Sequence, residues 1–182
     1  MADSKRPSFN EFPIWSPNSQ SRGGTKVDLF LLHTQEGGGG DAAAEDLANF
    51  LANPSNQVSY HYTVSQASDG GVTLVDCVDT DLASWSVGDA NNRSINLCFA
   101  SSRADWSRDE WMQQSNAIDV AAYVVIQDLA KYPIANAFLG TGGNYTTRDG
   151  NASGIADHRF VTDVIGWGTH VDVGTNFPND YF

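Results

Sequence analysis

Apolar residues along the chain recur with two different periods. Leu29-Phe30-Leu31-Leu32 is an unbroken apolar run inside 27–33 that closes on His33. Such a run predicts a strand buried on both faces of a sheet. Residues 58–65 alternate, Asp69-Gly70-Gly71 has turn chemistry, and 72–78 returns, which predicts a hairpin. Residues 94–100 predict another strand. The second period is helical. Leu47, Phe50 and Leu51 share one face of a segment that opens near Asp41, an N-capping residue type, and ends before Pro54. Trp111, Ile118, Ala122, Val125 and Leu129 form a stripe over 108–131. Ser107 with Glu110 supplies a capping box at its start, and Pro133 stops it.

What lies outside these elements is irregular. Residues 1–25 are rich in Ser, Asn, Pro and Arg, with Phe9, Phe12, Ile14 and Trp15 scattered among them. They read as an arm that docks on the domain by its aromatics. Gly37 to Gly40 and the Gly/Asn/Thr-rich stretch 141–153 read as loops, and no internal repeat is present. Strands alternating with helices predict an α/β fold: a single domain over 26–182 with a central mixed sheet flanked by helices. A length of 182 residues suits one domain with a real core.

Charge narrows the choice of partner. Twenty-two acidic residues against ten basic ones give a formal net charge of -12, a surface that repels phosphate backbones and argues against nucleic acid. It also gives no electrostatic help toward an anionic cell envelope. No apolar run approaches membrane-spanning length, so membrane insertion is not expected. The start of the chain is polar and has no signal-peptide core, which points to synthesis without Sec export. Two cysteines, Cys77 and Cys98, do not identify a compartment and fit buried thiols.

The chemistry is concentrated in four histidines: His33, His61, His158 and His170. His33 ends an apolar strand before a glycine-rich loop, a place where sites gather. His158 closes Ile155-Ala156-Asp157-His158. His170-Val171-Asp172 puts a carboxylate two residues after an imidazole, on the same side of an extended chain. Two imidazoles and a carboxylate are one known ligand set for a catalytic zinc with an open fourth position. No HExxH or CxxC spacing supports it, however. From the residues alone, a metal set and ordinary hydrogen-bonded histidines beside a turn aspartate both stay open.

Six segments occur in order: Leu29-Phe30-Leu31-Leu32-His33-Thr34, Val58-Ser59-Tyr60-His61-Tyr62-Thr63-Val64, Ala83-Ser84-Trp85-Ser86-Val87-Gly88, Ser94-Ile95-Asn96-Leu97, Gly154-Ile155-Ala156-Asp157-His158, and the stretch from His170 through Pro178. Together they resemble the type-2 N-acetylmuramoyl-L-alanine amidase family, relatives of the peptidoglycan recognition proteins. His33-Thr34-Gln35-Glu36-Gly37 and Asn176-Phe177-Pro178 are similar to the endolysins of actinobacteriophages, mycobacteriophages among them. The resemblance runs over residues 6–182. It implies zinc held by His33, His158 and Asp172. It implies catalytic roles for Tyr60 and for His170, the latter where many members carry an oxyanion-stabilising lysine. It implies cleavage of the bond between N-acetylmuramic acid and L-alanine in peptidoglycan, by a monomer, with cell lysis as the outcome. A peptidoglycan-binding module without catalysis and a cytosolic wall-recycling amidase are the other functions it allows. The motifs fill the chain and leave no wall-binding module, as in the catalytic part of a modular endolysin.

Three departures from the family pattern stand out. Cys98 occupies a strand position where some relatives carry a catalytic glutamate, which favours Tyr60 as catalytic and Cys98 as core. A common Trp-His pair is Trp85-Ser86 here, so the substrate contact of that histidine is not expected. The usual Asp-Pro-Gly reads Asp172-Val173-Gly174, keeping the carboxylate. Candidates for the substrate cleft are Glu36, Trp85, Asn91, Asn92, Asn144 and Trp167. Core packing for the tryptophans and turns for the asparagines explain the same residues. His61, alternating with Tyr60, should point to the opposite face and make a structural hydrogen bond.

Overall fold

The computed structural model describes residues 6–182. In chain order the strands are β1 (Asn10–Pro13), β2 (Ser19–Ser21), β3 (Leu29–Thr34), β4 (Tyr62–Gln66), β5 (Val72–Asp76), β6 (Leu82–Ser84), β7 (Ser94–Phe99), β8 (Phe138–Gly140) and β9 (Gly154–Asp157). The helices are α1 (Ala43–Leu51), α2 (Arg108–Met112), α3 (Ser115–Lys131) and α4 (His158–Phe160). Seven strands make one mixed sheet in the order β1-β5-β4-β7-β3-β9-β8, and β2 pairs with β6 apart from it. β4 and β5 form the antiparallel hairpin; every other pairing in the large sheet is parallel.

Alternation along the central strands decides what each face carries. Phe30 and Leu32 of β3, with Ile95, Leu97 and Phe99 of β7, pack under the buried face of α3: Ala117, Ile118, Ala121, Val124 and Val125. Leu29 and Leu31 point the other way, against Val87, Leu139, Ala156 and Phe160. On that second face α1 covers Val75, Cys77 and Cys98 through Ala44, Leu47, Ala48 and Leu51. Where neither apolar cluster reaches, the second face carries His33, His61 and Asn96, all fully buried. β3 is buried along its whole length, so truncating Leu31 to alanine should cost about 2–5 kcal/mol.

Several elements depart from the pattern-based expectations. Residues Met1–Lys5 lie outside the described ones. The rest of the arm is more ordered than expected: Asn10–Pro13 extends the sheet beside β5, and Ser19–Ser21 pairs with β6. It does not dock by all its aromatics, since Trp15 is 58% exposed and Phe12 is also exposed. Buried Arg22 holds it instead, donating to the carbonyls of Thr80, Asn92 and Ser94. Asp41 does not cap α1. Its carboxylate accepts from the Ser68 amide and hydroxyl, while Ser65 Oγ accepts from Ala44 N in the first turn. The expected helix over 108–131 is two helices. The Gln66 side chain reaches into the break, donating to the Gln113 carbonyl and accepting from the amide of Asn116. The capping box of Ser107 and Glu110 is present. Among the described residues no helix is long and apolar enough to cross a membrane.

Candidate metal centre

Strand ends deliver two of the three candidate ligands. His33 is the penultimate residue of β3. His158 opens α4 directly after β9, and the pairing of Leu32 with Asp157 sets the two histidines side by side, ring centroids 4.8 Å apart. Asp157 fixes this turn. Its Oδ1 accepts from Phe160 N at 3.0 Å and from the Tyr145 hydroxyl at 2.7 Å, and its Oδ2 from Gly142 N at 2.7 Å. Burial pushes its carboxyl up to about 7. Asp172 arrives from the following loop, whose backbone is tied to α4 by Arg159 N donating to the Asp172 carbonyl at 3.0 Å. Two residues on, Gly174 has φ +91, and a Cβ there would lie 1.9 Å from the Ala104 carbonyl oxygen. Only glycine lets the ligand loop pass this close to the backbone.

The Asp172 carboxylate faces both imidazoles. Oδ2 is 3.3 Å from His33 Nδ1, and Oδ1 is 3.5 Å from His158 Nδ1. One ligand atom from each of the three residues lies within 4.8 Å of the others, and all three residues are buried. His33 Nδ1 has no hydrogen-bond partner although it is fully enclosed. Burial works to raise the Asp172 carboxyl, but the imidazoles of His158 and His33 outweigh it and hold it well below the carboxylate range. Burial pushes His158 down, offset in part by Asp172. An ionised carboxylate and a neutral imidazole are the states in which these groups bind a metal. The three residues fit a divalent cation.

Two further groups flank the cluster. The His170 ring stacks on His158 at 4.1 Å between centroids and 14° between planes, with its Nδ1 3.7 Å from Asp172 Oδ1. Its side chain is 61% exposed, so it stands at the mouth of the site. The Tyr60 ring centroid is 4.9 Å from that of His33. Burial, with the thiol of Cys98 and the carboxylate of Asp172 nearby, pushes its phenol well above the usual value. Tyr60 is therefore a neutral hydrogen-bond donor. Cys98 is fully buried and its thiol is pushed up by that burial, so it packs and does not react. A groove of about 370 Å³ runs from Tyr60 along α1, lined by Gln35, Asp46, Leu47, Phe50, Leu51 and Val58.

The remaining candidates lie outside the ligand cluster. Glu36 sits on the loop after β3. Its Oε1 accepts from Thr34 Oγ1 at 2.5 Å and from Ala104 N at 2.8 Å. Asn91 is buried in the turn before β7, its Oδ1 accepting from the amides of Ser86 and Val87. Asn92 Oδ1 accepts from Gln20 Nε2. Trp85 is half-buried, and Trp167 is partly exposed and rests on Gly88, where a Cβ would meet the indole at 2.1 Å. Asn144 is exposed in the loop after β8. His61 is fully buried, accepts from Asn96 N through Nδ1 and meets the Leu82 carbonyl through Nε2; burial pushes it down to about 3.

One residue outside the sequence-predicted set touches a ligand. Asn96 Oδ1 lies 2.9 Å from His33 Nε2. Its signal was an asparagine at an inward position of an otherwise apolar strand.

A family model described as N-acetylmuramoyl-L-alanine amidase matches residues 23–174. No curated protein sequence matches the chain. Among solved structures, the chain is similar to the Staphylococcus aureus hydrolase AmiA, seen in complex with its ligand, at 17% identity and a TM-score of 0.63, over 92% of this chain and 73% of that one. It is similar to a mutant endolysin from Bacillus subtilis at 17% identity and a TM-score of 0.55, over 87% and 88%. The amidase LysC from Clostridium intestinale URNW has 11% identity and a TM-score of 0.57, over 95% and 94%. These likenesses carry the fold.

Proposed function

Because the chain belongs to the N-acetylmuramoyl-L-alanine amidase family, we propose that it is a zinc-dependent amidase of the endolysin kind, cutting peptidoglycan between the lactyl group of N-acetylmuramic acid and L-alanine of the stem peptide. The observation that carries the zinc reading is that His33, His158 and Asp172 meet in one buried cluster, with a ligand atom of each within 4.8 Å of the others. The carboxylate oxygens of Asp172 stand 3.3 and 3.5 Å from the two imidazole nitrogens. The buried, unpartnered His33 Nδ1 is the kind of atom that a metal satisfies.

When bound, zinc supplies Lewis acidity at the scissile carbonyl and makes hydroxide available near neutral pH. The side chains do the rest. Tyr60, held neutral beside His33, donates a hydrogen bond to the oxygen on which negative charge develops. His170, at the mouth of the site, in its imidazolium form stabilises the same charge and hands a proton to the departing L-alanine amine. Glu36 holds the loop after His33 against Ala104. The groove along α1 gives the stem peptide a place beside Tyr60, with Trp85, Asn91, Asn92, Asn144 and Trp167 as cleft candidates beyond the ligands.

We read residues 26–182 as the catalytic unit and 1–25 as an arm, whose described part pairs with β5 and β6. The ligand set is complete within one chain, which fits action as a monomer. Neighbours named as endolysins favour lysis of a phage host over wall recycling. Mass spectrometry of digested sacculi tests the reaction. Free stem peptides with N-terminal L-alanine are expected, and intact muropeptides or cut glycan strands alone would reject it.

A further inference from the structure

The ligand His33 can use its Nδ1 only if the proton of its neutral ring sits on Nε2. We propose that Asn96 is a positioning residue that fixes this tautomer, and that its own orientation is set by a chain of hydroxyls ending on a backbone carbonyl. This rests on the metal reading for its consequence, but not for its geometry.

The direction of each hydrogen bond follows from the last one. Ser86 Oγ is 2.5 Å from the carbonyl oxygen of Ser59, which can only accept, so Ser86 donates there. Ser84 Oγ is 2.8 Å from Ser86 Oγ. Since the Ser86 proton is committed, Ser84 donates to Ser86. Ser84 Oγ is then free to accept, and Asn96 Nδ2 lies 3.1 Å from it and 3.0 Å from Ser94 Oγ. Ser84 Oγ, its own hydrogen given to Ser86, calls for the amide nitrogen on that side, which turns Oδ1 of Asn96 toward His33. At 2.9 Å, Oδ1 can only accept, so His33 Nε2 carries the hydrogen. Nδ1, the buried atom that faces Asp172, is then the ring nitrogen left to take a metal. The opposite flip of the Asn96 amide would leave Oδ1 facing Ser84 Oγ, whose hydrogen is already given to Ser86.

The backbone of Asn96 is anchored as well, its amide donating to His61 Nδ1 at 3.0 Å. Asn96, Ser84, Ser94 and His33 are fully buried, so water does not compete for the bonds among them. Ser86, which stands where many family members carry a histidine, closes the chain on Ser59. Partners of this kind orient a ligand histidine and raise its basicity, and their loss usually costs about 10- to 100-fold in metal affinity.

Two measurements on the whole chain test this. In metal-free, 15N-labelled protein, two-bond nitrogen–proton correlations of the imidazoles report the tautomer. His33 is expected as the Nε2–H form in the native protein. A His33 with no hydrogen on Nε2 would overturn the proposal whether or not zinc binds. In Asn96→Ala the single tautomer should be lost and zinc affinity, by competition with a chromophoric chelator, should fall about 10- to 100-fold. Asn96→Asp, which keeps an acceptor toward Nε2, should restore the Nε2–H form. Ser84→Ala, which leaves the Asn96 backbone contacts alone, should give a smaller loss of affinity with the same sign. Unchanged affinity in folded Asn96→Ala and Ser84→Ala would reject the positioning role. Failure of the native protein to bind zinc, with His33 still Nε2–H, would reject the metal reading and leave the tautomer assignment standing.

Discussion

Tyr60 lies against His33 and His170 against His158, and in the proposed mechanism their differing burial gives them different work. Tyr60 is partly buried at the groove and its raised phenol keeps it a neutral donor, while His170 stacks on His158 with most of its side chain in solvent. Tyr60→Phe removes only the hydroxyl. It should leave bound metal unchanged and lower kcat by about 100- to 1000-fold, the usual cost of losing one donor to a developing oxyanion. Turnover and metal content measured on one sample check this, and a loss of metal with the activity would assign Tyr60 to the metal site instead. His170→Lys puts an ammonium at the mouth, which holds its proton to higher pH than an imidazole does. The alkaline limb of the activity profile should therefore move to higher pH in the variant. An unmoved limb would take the proton-carrying role away from His170. The ligand types and the strand end at His33 were visible in the sequence. The Asn96 contact was not, because it depends on β3 and β7 being neighbours in register, which brings together two side chains 63 positions apart.

Among the elements, those with long periodic patterns were legible and those set by tertiary contact were not. β3 and β7 have all six of their residues buried, and β4 pairs with β5 as the turn at Asp69-Gly70-Gly71 requires. β1 and β8 have four and three residues, too few to show a period, and each exists by pairing at a sheet edge. The division between α2 and α3 also has a cause outside its own segment, the Gln66 side chain from β4. Gln66→Ala would leave the Gln113 carbonyl and the Asn116 amide without their partner. It should destabilise the fold by about 1 kcal/mol, as loss of a helix cap does. Urea denaturation checks this, and an unchanged midpoint would show that water replaces the side chain at no cost.

At the scale of the molecule, the acidic composition bears on stability as well as on partners. Asp128 of α3 lies buried under β4, where it accepts from the Tyr62 hydroxyl at 3.1 Å. Burial pushes its carboxyl up to about 6, against about 3.9 for an aspartate in an unfolded chain. The folded protein thus holds this proton more tightly. The stabilisation it gives is complete below about pH 4 and is lost as pH rises through about 6. Asp128→Asn keeps an acceptor for Tyr62 and cannot ionise, so its Tm should fall less than that of the native chain between pH 4 and 7. Parallel curves would show that Asp128 ionises as freely folded as unfolded. The α/β class and the mixed sheet were readable from the alternation of strands and helices. The cleft was not, since it is what two apolar clusters leave uncovered on one face of that sheet. The claim that this uncovered face holds a zinc amidase is tested most directly by stripping the protein of metal, titrating zinc back, and counting new N-terminal alanine released from peptidoglycan. The expected result is no release from the stripped protein and a rise that saturates at one zinc per chain. Full release without metal, or one bound zinc with no new N-terminal alanine, would contradict it.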